Sequence, residues 1–217
     1  MNSNKEIIVF ISGEGTNLQN LINSINAKRV NVNIAAVISN NPEANGLNIA
    51  KNNKIINFIL NFDPNSPIKK DTRFEKLSQL NKDTTSFDEE LTKLLEEKRL
   101  LKKQHRIKYE ISLLQIVKSV KHDFIVCLSW QHIFGKEFIN QNKPILNLHP
   151  ALPDMYPGRN AIDRAYNDFK NGKTVQSGVM FHHVIEEIDA GNVLSKRVVP
   201  ISSTDTFDKF KFNFSMA

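Results

Sequence analysis

Pro144-Ile145-Leu146-Asn147-Leu148-His149-Pro150-Ala151-Leu152-Pro153 is a short apolar run that ends in an amide and an imidazole two residues apart. On a strand, residues i and i+2 face the same way. Asn147 and His149 are therefore expected side by side. Pro150 has no N–H to donate and should end the strand. In open α/β sheets, ligands sit at the carboxyl ends of strands. Taken alone, these residues favour a surface imidazole on a polar strand end.

Working outward, the chain alternates strand and helix patterns. Glu6 to Ile11 is an apolar run of the kind a parallel sheet buries on both faces. Leu18, Leu21, Ile22 and Ile25 then recur at helical spacing. Ile34 to Ile38 reads as a second strand, about Gly46 to Asn53 as a helix, and Ile55 to Leu60 as a third strand. This order implies right-handed crossovers and a parallel sheet. Lys69 to about Val120 reads as helical and charged, with Leu91, Leu94 and Leu95 as one apolar stripe and Ile107, Ile111, Leu114 and Val117 as another. Phe124 to Leu128 and Ile145 to His149 are the fourth and fifth strands. Ala161 to Phe169 reads as a helix, and two further strands, Ser177 to Val184 and Val193 to Ile201, flank the turn at Glu187–Asn192. Thr204 to Ala217 reads as the start of a helix that stops short.

The chain has 217 residues, 40% of them hydrophobic, enough for a proper core in one large domain. No run of about 18 apolar residues marks a membrane span. The start lacks a signal-peptide layout. Cys127, the one cysteine, lies in an apolar run and is expected as a buried thiol, which suits a cytoplasmic setting. The formal charge of +6 is local: Lys98 to Lys121 holds eight Lys and Arg against one acid, Glu110. That pattern reads as a solvated amphipathic helix, and nucleic-acid binding is not expected.

Ser12-Gly13-Glu14-Gly15-Thr16-Asn17 forms a turn between a strand and a helix. Glycines let backbone approach a ligand, and free N–H groups at a helix start attract an anion. Leu18 stands where a dinucleotide fingerprint needs its third glycine, and no Gly-Lys-Ser/Thr follows. An ordinary turn with Thr16 as N-cap and a site for a single phosphate both fit.

The chain resembles the glycinamide ribonucleotide formyltransferases, of the stand-alone fungal kind. Four motifs in order carry the resemblance: Ile11 to Gln19, Asn147 to Pro153, Asn160 to Ala165 and Gly178 to Asp189. It implies a Rossmann-like α/β fold, a mostly parallel central sheet with helices on both faces. It also implies formyl transfer from 10-formyltetrahydrofolate to the amine of glycinamide ribonucleotide. By the same resemblance His149 is the catalytic acid, Asn147 its amide partner and Asp189 the carboxylate that tunes the imidazole. Gly13, Gly15, Thr16 and Asn17 match the phosphate site. Gln131, His132, Ile133 and Phe134, with Asn147 and with Ile185, Glu186, Glu187, Ile188 and Asp189, match the folate site. The implied partners are these small molecules, with no metal, no membrane, and a monomer or homodimer.

The chemistry suits these residues. The nucleophile is a substrate amine, so no Ser or Cys is needed. A developing oxyanion gains roughly 3–4 kcal/mol from each well-placed donor. An imidazole near neutral pKa can carry a proton from the attacking nitrogen to the leaving one. Asp189 should favour the charged ring. No carboxylate or thiol pairs with His105, His122, His132, His182 or His183 at metal-ligand spacing.

Three departures from the family are expected. Its helix before the fourth strand carries an arginine three residues ahead of an aromatic; taking Phe87 as that aromatic puts Thr84 at the arginine position, with Arg73 as a substitute for the folate tail. Residues 99–121 read as an inserted basic helix between a phosphate-binding half, 1–98, and a folate-binding half, 122–217. The last helix reads as truncated, so a remnant that binds without turnover stays open. So do a formyl-folate hydrolase and a sugar or tRNA formyltransferase.

Overall fold

A computed structural model describes residues 4–66 and 85–215, and the side chains of all of these except 85–90 and 215. Arg73 and Thr84 lie outside the described residues, as does the side chain of Phe87. Among the described residues seven strands form one sheet: β1 (Lys5–Ile11), β2 (Val32–Ser39), β3 (Asn57–Ile59), β4 (Phe124–Leu128), β5 (Ile145–His149), β6 (Gln176–His183) and β7 (Val193–Pro200). Their order is β3-β2-β1-β4-β5-β6-β7. The first five are parallel, and β6 and β7 run antiparallel. The helices are α1 (Thr16–Asn26), α2 (Gly46–Asn52), α3 (Thr85–Ser119), α4 (Lys136–Asn140), α5 (Ala161–Lys170) and α6 (Phe207–Ser215).

The pleat divides the apolar runs between two cores. Ile8 and Phe10 face one layer, with Ile38, Ile125 and Ile145 beside them and α3 and α4 above. Ile7, Val9 and Ile11 face the other, packed on Leu18 and Ile22 of α1 and Ala50 of α2. Each such side chain, fully buried, contributes roughly 1.5–3 kcal/mol. β3 is shorter than its apolar run. It is a sheet edge, and Ile56 and Ile59 stay 63% and 50% exposed. β1 pairs with β2 on one side and β4 on the other, so the strand order reverses there. Such a switch point opens a crevice beyond the strand ends.

α3 corrects the reading of the basic stretch. Residues 99–119 lie within α3, and one face of them is buried rather than solvated. Tyr109, Leu113 and Val117 reach the core while Ile107 and Ile111 stay 44% and 54% exposed. The buried face was hidden because it carries a charge, Glu110, which is 6% exposed. Tyr109 is the aromatic of this stretch that packs in the core beside β4.

The glycine turn is held by close packing. Gly15 has φ +78, and a Cβ there would stand 2.5 Å from the Cα of Gly46. The Gly46 N–H donates to the Gly13 carbonyl at 3.1 Å. Gly15→Ala is expected to lower unfolding stability by about 2 kcal/mol, from left-handed strain and backbone overlap together. Denaturant unfolding checks this, and an unchanged midpoint would refute it.

Candidate active site

α1 begins without a side-chain cap. Its N-cap is Gly15, not Thr16, because the turn enters the helix from a left-handed conformation. The first N–H groups of α1 thus stay available to an anion. Asn17, in the first turn, donates to Ser129 at the end of β4 at 3.3 Å. This joins the two strand ends that flank the switch point.

From there a cleft of about 890 Å³ runs along the carboxyl ends of the strands. Thr16 and Asn17 line it, as do Asn147 and His149, with Gln131, His132, Ile133, Phe134 and the run Ile185 to Asp189. Gly13 and Gly15 do not line the cleft, and they shape the turn behind Thr16. Asp208, Lys211 and Phe212 of α6 also line it.

Asn147 and His149 do face the same way, and Asp189 meets both. His149 Nδ1 is 3.3 Å from one carboxylate oxygen of Asp189. The Asn147 amide nitrogen donates to the other at 3.3 Å. The Gly158 N–H donates to Asp189 at 2.7 Å. His149 Nε2 lies 3.1 Å from the Tyr156 carbonyl. Arg164 donates to that carbonyl at 2.6 Å and to the Pro157 carbonyl at 2.7 Å, which pins the turn beneath the ring.

Sequence reasoning missed one member of this cluster. The sequence marks His182 only as a histidine without metal-ligand partners. It is 1% exposed, and its Nδ1 is 2.9 Å from the His183 carbonyl. Its Nε2 stands between the Asn147 amide nitrogen at 3.2 Å and Asp189 at 3.5 Å. A neutral ring accepts from Asn147, and a protonated one donates to Asp189. The signal was present: His182 sits opposite Asn147 in the antiparallel pairing of β5 with β6.

The electrostatics also differ from expectation. Burial pushes His149 below its ordinary value, and this outweighs the upward pull of the Asp189 carboxylate and the Tyr156 carbonyl. Burial therefore favours the neutral ring at rest. Burial would push Asp189 up, but hydrogen bonds from His182 and the Gly158 N–H, with the nearby imidazoles, hold the carboxyl below its usual range. Both nitrogens of His149 face acceptors. The surroundings are thus laid out for the imidazolium that forms when a proton arrives.

The backbone is strained here. Ser129, Tyr156, Asn160 and Asp189 all have positive φ, between 50 and 62 degrees. Such residues cost of order 1–3 kcal/mol each and gather at functional sites. Among the described residues, no group of three or more His, Cys, Asp or Glu could hold a metal ion. No helix among them is long and apolar enough to cross a membrane.

Comparison with known proteins identifies the family. A family model described as formyl transferase matches residues 5–215. A phosphoribosylglycinamide formyltransferase from Dictyostelium discoideum is 37% identical over 214 residues, covering 96% of this chain and 89% of that protein. One from Saccharomyces cerevisiae is 31% identical, covering 94% and 87%. The solved structure of a phosphoribosylglycinamide formyltransferase from Coxiella burnetii superposes with a TM-score of 0.71 at 25% identity, covering 98% of this chain and 81% of that one.

Proposed function

The chain belongs to the formyl transferase family, and we propose that it moves the formyl group of 10-formyltetrahydrofolate to the amine of glycinamide ribonucleotide in purine synthesis, with His149, Asn147 and Asp189 as its working residues. One observation carries the residue assignment. His149, Asp189 and Asn147 meet one another in a single cleft that is also lined by Thr16 and Asn17 of the uncapped helix start and by residues 131–134 and 185–188.

The ribonucleotide phosphate sits at Thr16, Asn17 and the first N–H groups of α1. The folate lies against residues 131–134 and 185–188, which brings its formyl carbon to Asn147 and His149. The amine nitrogen attacks that carbon, and a tetrahedral centre forms with negative charge on the former carbonyl oxygen. The Asn147 amide turns one N–H to this oxygen and gives up its 3.3 Å contact with Asp189. Neutral His149 takes the proton from the attacking nitrogen. Asp189 and the Tyr156 carbonyl hold the resulting imidazolium. His149 then delivers the same proton to the folate nitrogen as its bond to the formyl carbon breaks. The products are the formylated ribonucleotide and tetrahydrofolate, and no protein atom is consumed.

The chemistry asks for no resident metal, and the setting is the cytoplasm.

The test is an assay of the purified chain with both substrates. The expected result is formylated ribonucleotide formed only when both are present. Formate released without an acceptor would instead mark a hydrolase, and no consumption of formyl-folate would overturn the reading.

A further inference from the structure

Glu110 is a buried carboxylate that the reaction does not use. One of its oxygens accepts from His132 Nε2 at 2.9 Å and from the Gly135 N–H at 2.8 Å. Both donors belong to residues 129–135, the irregular segment that joins β4 to α4 and forms a wall of the cleft. An unbonded carboxylate at this depth would be costly, and these two bonds offset that cost.

The segment is fastened at two ends. At its start, the Gln131 N–H donates to the Ser12 hydroxyl at 2.9 Å, and Arg159 donates to the Gln131 carbonyl at 3.2 Å. At its far end the bonds go to Glu110. Between them Ile133 is left 48% exposed on the cleft. The His132 side chain, 2% exposed, is turned away among the rings of Phe62, Tyr109 and Phe134. Gly135 has an ordinary φ of −79, so its backbone does not require glycine. Space does: a Cβ there would lie 2.8 Å from Glu110 Oε2.

We propose that Glu110 is a positioning residue for the formyl-folate side of the cleft. By holding His132 and Gly135 it fixes where Ile133 and Phe134 stand, so folate binding depends on it and the chemical step does not. The identity of the ligand rests on the reaction proposed above.

Trp130, the one tryptophan of the chain, lies in this segment and lines the cleft, so its fluorescence reads folate binding without turnover. Glu110→Ala is expected to raise both the Kd and the KM for 10-formyltetrahydrofolate tenfold or more. The kcat and the ribonucleotide KM should stay within threefold. Glu110→Gln keeps an acceptor oxygen and should recover most of the loss. Gly135→Ala presses on the same carboxylate from the other side and should weaken folate binding with kcat kept. If Glu110→Ala does not fold, the Gly135→Ala measurement decides alone. An unchanged folate Kd in either folded variant, or an equal loss in kcat and in both KM values, would overturn the proposal. Wild-type protein that transfers no formyl group but binds folate in a Glu110-dependent way would overturn the reaction and support this inference.

Discussion

His149→Ala is expected to lower kcat for formyl transfer by about 10²- to 10⁴-fold, the usual range for a positioned proton carrier. Folate binding, read by Trp130 fluorescence, should stay within about threefold. The reason is geometric. His149 lines the cleft with both ring nitrogens engaged, at 3.3 Å to Asp189 and 3.1 Å to the Tyr156 carbonyl. Without the ring, the attacking nitrogen must lose its proton to water, and the folate nitrogen must leave unprotonated. Alanine also removes a ring that is 4% exposed, so some stability is lost to the cavity. Thermal melting separates the two effects, since lost packing lowers the melting temperature while lost proton transfer lowers kcat. Turnover within threefold of wild type in folded His149→Ala would rule out His149 as the carrier.

What the sequence discloses follows from how far apart the cooperating residues are. Buried parallel strands announce themselves as apolar runs, so β1, β2, β4 and β5 were legible, and with them the switch point and the cleft. Asn147 and His149 were legible as neighbours because strand periodicity is local. Asp189 lies 40 residues beyond His149, and no spacing rule joins them. Only the resemblance to a known family linked the two. His182 escaped notice for a different reason: its burial depends on the antiparallel return of β6, and a strand pattern does not say which face is covered. The face of α3 was misread because Glu110 interrupts its apolar stripe. A buried acid looks like a solvated one until its partners, His132 and Gly135, are seen.

Asp189→Asn is expected to lower the kcat plateau by about a hundredfold, roughly 2.7 kcal/mol, and to change the shape of the pH profile. Asp189 accepts from Gly158 at 2.7 Å and from Asn147 at 3.3 Å, with His149 at 3.3 Å. An asparagine can keep only one oxygen. Whichever way it turns, its amide group meets a donor, either Asn147 or the pair of Gly158 and His149. Backbone strain is not the cause, because φ is +54 here and asparagine tolerates that region well. The pH effect has a definite sign. Burial already holds His149 below its ordinary value, and Asp189 is the main opposing pull. Removing that charge lowers the His149 pKa further. The substrate amine titrates near 8 in both enzymes, so kcat/KM falls with unit slope below that pH. Wild type should steepen to slope two once the pH drops below the His149 pKa. The variant should hold slope one to lower pH, because its ring stays neutral longer. A lower plateau with a later second break belongs to a carboxylate that both orients and charges the imidazole. A lower plateau with the break unmoved would leave Asp189 an orienting role only, and an unchanged plateau would remove it from the mechanism.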